Sequence, residues 1–170
     1  DLWMLGSSNG GGDLAAHFGL GFSFADFFGA MDGAGVMRSY YQNYQPSELY
    51  PEPRGNVCVF VLCADTAEEA EELALSRDLW RLRIDKGDIG PYPSVEEARA
   101  YQYQPYEQAQ VDAHRHSAII GDPSSVKKQI EAVAKRYGLG DVSIVTITHD
   151  PQARIHSYEL VAEAFGLTPP

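Results

Sequence analysis

Eight residues, Asn56-Val57-Cys58-Val59-Phe60-Val61-Leu62-Cys63, narrow the architectures open to this chain more than any other stretch. They are β-branched or apolar almost without a break, so a strand built from them is apolar on both faces. Such strands belong in sheets covered on both sides, the usual setting of parallel pairing with helical crossovers. The residues just beyond Cys63 suit a crossover helix. Asp65 or Thr66 can cap it, Glu68 and Glu69 occupy its first turn, and a helical apolar period continues to about Arg83.

The same alternation runs along the rest of the chain. Leu2 to Leu5 reads as a short buried strand, followed by a helix over about Gly10 to Phe18 that Gly19 closes. Phe22 to Ala25 is a second strand, with Asp26-Phe27-Phe28 at its carboxyl end. Residues 29–35 read as a loop, Val36 to Tyr44 as a short helix, and Pro46, Pro51 and Pro53 as an extended connection. After the Asn56–Cys63 strand and its helix comes a polar, proline-bearing excursion at about 85–106, of a length typical of lids and binding loops. Val111 to His116 ends a helix, and the run from Ile119 to Val126 opens another that reaches Tyr137. Val142 to Thr148 is the last strand, and Ala153 to Phe165 the last helix. Four strand–helix units with one extra helix define the α/β class and a parallel sheet. Read as one domain over residues 1–170, they amount to half of a (β/α)8 TIM-type barrel, which usually needs about 250 residues.

In a barrel of that kind the chemistry lies at the carboxyl ends of the strands. Those ends carry Ser7 and Ser8, Asp26 and Phe27, Cys63 and Asp65, and His149 and Asp150. The first turn offers two hydroxyls, then Gly10, Gly11 and Gly12 at the start of a helix whose dipole favours an anion. It reads equally as a seat for a phosphate group and as an ordinary tight turn. Asp26 reads as a ligand contact or, more simply, as a turn cap. His149 reads as a base or as a hydrogen-bonded structural residue. Gly6-Ser7-Ser8-Asn9-Gly10 also matches the strand-to-helix elbow of α/β-hydrolases, with Ser8 as nucleophile and His149 or His156 downstream.

The formal net charge of −11 and pI of about 4.7 argue against a nucleic-acid-binding face, which needs clustered basic residues. Cys58 and Cys63 fall on opposite faces of one strand and do not pair. Without a Cys/His cluster no metal site is expected. No run approaches the roughly 18 apolar residues of a membrane span, and the expected location is cytoplasmic. The first residue already borders a buried strand, which predicts no leader peptide and something missing ahead of it.

Four stretches together resemble the luciferase-like flavin-dependent monooxygenases. They are Trp3-Met4-Leu5-Gly6-Ser7-Ser8 with Leu14-Ala15-Ala16 behind it; Gly21-Phe22-Ser23-Phe24-Ala25; Val59–Cys63 with Ala64-Asp65-Thr66-Ala67-Glu68-Glu69-Ala70; and Ile120-Gly121-Asp122-Pro123-Ser124-Ser125-Val126 with Arg154-Ile155-His156-Ser157-Tyr158-Glu159-Leu160. The resemblance covers the carboxyl-terminal half of that barrel, strands five to eight. It implies an oxidoreductase using reduced FMN and oxygen on an organic substrate, or hydride transfer through a related deazaflavin. It places the flavin phosphate at Ser7, Ser8 and the backbone near Gly11; the strand-end positions themselves offer Asp26 and Phe27 as substrate contacts and His149 as candidate catalytic residue. Gly11 stands where the family usually has a hydroxyl, and Phe27 where it often has histidine. The implied partners are an amino-terminal half-barrel or a second subunit, in a homo- or hetero-oligomer, and a flavin reductase, with no nucleic acid and no membrane. A non-catalytic flavin-binding or assembly subunit is the remaining alternative.

Overall fold

The computed structural model describes residues 1–29 and 31–167, and Phe22 and Phe24 show why its first part folds as it does. They alternate along a strand with Ser23 between them, so both point to one side and need a helical cover. The chain divides into two units. The first comprises residues 1–59 and 130–144. It holds β1 (Trp3–Gly6), α1 (Asn9–Phe18), β2 (Gly21–Ala25), a 3-10 turn (Asp26–Phe28), α2 (Gly33–Asn43) and the first part of β3 (Gly55–Cys63). The later part of α6 (Pro123–Tyr137) and the start of β5 (Val142–Val145) complete it. Strands β1, β2 and β3 pair in parallel, Gly6 opposite Phe24 and Ala25 opposite Cys58. Phe22, Phe24, Val57 and Val59 share the buried face and lie at most 2% exposed. They are covered by buried residues of α1 (Ala15, Ala16) and α2 (Val36, Met37, Tyr40). Each phenylalanine buried this way contributes about 2–3 kcal/mol. On the opposite face Leu5 is 77% exposed. There an open cleft of 470 Å³ is lined by Trp3, Leu5, Ser23, Asn56 and residues 141–143.

The second unit comprises residues 60–129 and those from Val145 on. The end of β3 pairs in parallel with β4 (Ala118–Gly121), Cys63 opposite Gly121. Around them lie α3 (Ala67–Asp85), α4 (Val95–Ala100), α5 (Pro105–Arg115), the first part of α6, and α7 (Pro151–Ala164). The buried Ser157 ties α7 to this sheet, since the Cys63 amide donates to its Oγ at 2.9 Å.

The structure corrects the sequence-based expectations in several places. Ala118–Gly121 is a strand, not the opening of a helix, so the described residues form five strands rather than four. Four residues are too short a run to show a period, and only pairing to β3 reveals them. The last strand stops at Val145 because Thr146 leaves the ladder: its amide donates to the Tyr158 hydroxyl and its own hydroxyl to the Val61 carbonyl. Strand β5 pairs with β3. The excursion at 85–106 is not a plain loop, for it carries α4 and the start of α5. Its buried Ala98 and Pro93, and the Arg83–Glu97 and Arg99–Glu72 ion pairs, fasten it to α3. Helix α2 starts at Gly33 rather than Val36, inside the expected 29–35 loop; Ala30 of that loop lies outside the described residues.

Candidate functional site

Parallel pairing of β1 and β2 fixes the geometry of the first unit's carboxyl end. Because Gly6 lies opposite Phe24, the chain leaves β1 at Ser7 and β2 at Asp26 at nearly the same level, on neighbouring strands about 4.8 Å apart. The first turn therefore brings Ser7, Ser8 and the start of α1 beside Asp26 and Phe27.

Ser8 is the N-cap of α1, yet its side chain makes no cap hydrogen bond. A helix leaves its first amides without internal partners, and here no acidic side chain sits in the first turn to answer them. A free hydroxyl and a set of free amides thus occupy one helix start. Gly11 belongs to that turn for a packing reason. A Cβ on Gly11 would stand 3.3 Å from the Gly6 backbone and 3.5 Å from the Phe22 ring, so strand and helix approach too closely for a side chain. What Gly11 can offer a ligand is its amide. Ser8 has extended backbone (φ −147, ψ 166), and no described non-glycine residue has positive φ. The hydrolase elbow depends on a sharp, strained turn at its serine, and Ser8 does not have one.

Asp26 is committed elsewhere. Tyr137 donates its hydroxyl to Oδ1 at 2.5 Å, and Arg136 donates to Oδ2 at 2.9 Å. Burial, and then this bond to a carboxylate, push the Tyr137 hydroxyl well above its ordinary range, so it is a proton donor at every physiological pH. The next residue, Phe27, is half-buried and stacks on Phe28 with ring centroids 4.5 Å apart. Sequence reasoning misses this network, since nothing local links Asp26 to residues about 110 positions on.

In the second unit, Asp65 and Asp122 leave the paired ends of β3 and β4. Thr66, not Asp65, caps α3 by accepting the Glu69 amide. Asp65 is left to bond His156 at 3.1 Å. Asp122 accepts the amides of Ser124 and Ser125 and so starts α6. Burial, reinforced by those two carboxylates, pushes the Cys63 thiol up to about 11, which removes it as a nucleophile. His149 is exposed, has no hydrogen bond to a described residue, and precedes Asp150, the N-cap of α7. The 85–106 segment comes close to it: Tyr92 donates its hydroxyl to the Ile147 carbonyl at 3.0 Å, and His149 acts electrostatically on Glu96.

No protein-family model matches the chain. Individual relatives do. An uncharacterized Bacillus subtilis protein, YwcH, is 40% identical over 98% of this chain and 50% of its own length. A luciferase-like monooxygenase of Escherichia coli K12 is 28% identical over 95% of this chain and 48% of its own. The solved structure of apo-MsnO8 superposes with a TM-score of 0.86 at 30% identity, over 99% of this chain and 52% of that one. The FMN complex of the oxygenating constituent of 3,6-diketocamphane monooxygenase shares the fold at 18% identity and a TM-score of 0.55, over 99% and 48%. In sequence the chain is similar to luciferase-like monooxygenases, and in fold it shares the parallel α/β sheet of their TIM-type barrel. The chain spans about half the length of the curated relatives it matches.

Proposed function

We propose that this chain forms the phosphate-holding side of an FMN-dependent monooxygenase that acts on an organic substrate. The observation that carries the reading is the unspent N-cap: Ser8 gives no bond to its own helix, and free amides follow it through Gly11. Hydroxyl, amides and helix dipole suit a dianionic phosphate, and the absence of acidic residues from that turn leaves nothing to repel it. Reduced flavin bound there would supply electrons for oxygen chemistry. Ser7 and Ser8 would bind the phosphate, Phe27 would contact the ring system or the substrate, and His149 is the candidate for moving a proton. The exposed face of β1 would be covered by the remaining half of the barrel, which completes the pocket, and a flavin reductase would supply the reduced cofactor.

The experiment compares FMN with riboflavin, which has the same ring without the phosphate, by flavin fluorescence in the protein with its barrel completed. FMN should bind more tightly. A hydrogen bond to a charged group is worth about 1.5–3 kcal/mol, so Ser8→Ala should weaken FMN about ten- to a hundredfold and leave riboflavin nearly unchanged. Equal losses for both would make Ser8 a structural residue, and no FMN preference in the unmodified protein would remove the phosphate site.

A further inference from the structure

The turn that leaves β2 carries a carboxylate whose oxygens are already taken within the fold. The Asp26 side chain is 14% exposed, and each of its oxygens takes a donor from the end of α6, one from Tyr137 and one from Arg136. Tyr137 is itself held fast. Its ring lies 6.2 Å from that of Phe24, and its hydroxyl, with Phe24, fills the space a side chain on Gly33 would need. What the turn offers instead is ring surface, Phe27 half-buried and stacked on Phe28, which is 47% exposed. A cationic ligand group would compete with Arg136 for Asp26 and an anionic one with Asp26 for Arg136, so either loses its water for little return, whereas an apolar group loses nothing against the rings.

We infer that the Asp26–Phe28 turn is a specificity surface for an uncharged, apolar or aromatic part of the substrate, and that Tyr137 and Arg136 are positioning residues which keep it so by sealing Asp26. The inference rests on the flavin-dependent reading of the neighbouring β1 end and names its substrate class. On this inference Asp26 holds the turn to the end of α6 through Arg136 and Tyr137, and the rings beside it meet the substrate.

The test uses the FMN-loaded protein and three probes with one ring system: 2-naphthylmethanol, the 2-naphthylmethylammonium cation and 2-naphthoate. Binding is measured by titration calorimetry. The alcohol should bind at least tenfold more tightly than either ion, and Phe27→Ala should weaken it at least fivefold. Arg136→Gln with Tyr137→Phe should expose the carboxylate and tighten the ammonium probe at least fivefold, with FMN affinity unchanged. Adding Asp26→Asn should abolish that gain, which a merely structural lesion would not do. Tyr137→Phe alone keeps the ring against Phe24 and should show the same gain in smaller measure if the double variant does not fold. Equal binding of the three probes, or no ammonium gain in these variants, overturns the inference while FMN binding stands. A protein that binds no FMN overturns the flavin reading and this inference with it.

Discussion

At Gly33 a single methyl group decides how the end of β2 is built. A Cβ there would run into the Tyr137 hydroxyl and the Phe24 ring, and both are fixed, one by Asp26 and the other by burial. Overpacking of this kind costs about 1–3 kcal/mol, and with no flexible neighbour to yield, Gly33→Ala should fall at the upper end. The urea midpoint should drop accordingly, whereas Gly10→Ala, whose Cβ would meet nothing nearer than 4.0 Å, should leave it close to the parent value. The residue scale also shows how much of the site the sequence discloses. Ser7, Ser8 and the glycines of the first turn are adjacent, and their meaning as a helix start can be read directly. Asp26 reads from its neighbours as a ligand contact or, more simply, as a turn cap; the partners it takes, Tyr137 and Arg136, reach it only through folding.

Helices α3 and α5 are tied by a clasp whose strength depends on acid. Glu107, 2% exposed, accepts from Lys86 Nζ, from the Tyr101 hydroxyl at 3.0 Å and from the Gln104 amide at 2.7 Å. The Lys86 bond first, and then the Gln104 amide, hold its carboxyl down at about 2. The unfolded carboxyl titrates near 4.3, so between these values the folded state binds fewer protons. The clasp's contribution is complete above about pH 4.3 and fades as pH falls towards 2. Glu107→Gln should lower the urea midpoint at neutral pH, and the gap between variant and parent should narrow across that acid window. A constant gap would show that the charge is irrelevant. Element boundaries mark the limit of local reading here as well. The long strand β3 and the capped α3 are legible from composition and period, whereas β4 is a strand because β3 offers it a ladder, and β5 ends where Thr146 finds other partners.

On the scale of the whole chain, β1 is the exposed element. Leu2, Trp3 and Leu5 are 59%, 37% and 77% exposed, and β1 pairs with β2 alone among the described residues. Open, apolar strand edges invite association. Expressed by itself, the chain should sediment as a concentration-dependent mixture of species, and Leu5→Lys should shift it towards monomer; an unchanged monomer in both cases would show that this strand is no interface. The alternation of strands and helices, the parallel sheet and the likeness to half of a luciferase-like monooxygenase were determined by the sequence alone, because burial periodicity and caps act between residues a few positions apart. Which polar groups remain for a ligand was decided by tertiary structure. Asp65 is spent on His156 and Asp26 on the end of α6, while Ser8 is left unspent, and only packing brings residues about 90 to 110 positions apart within a hydrogen bond of each other.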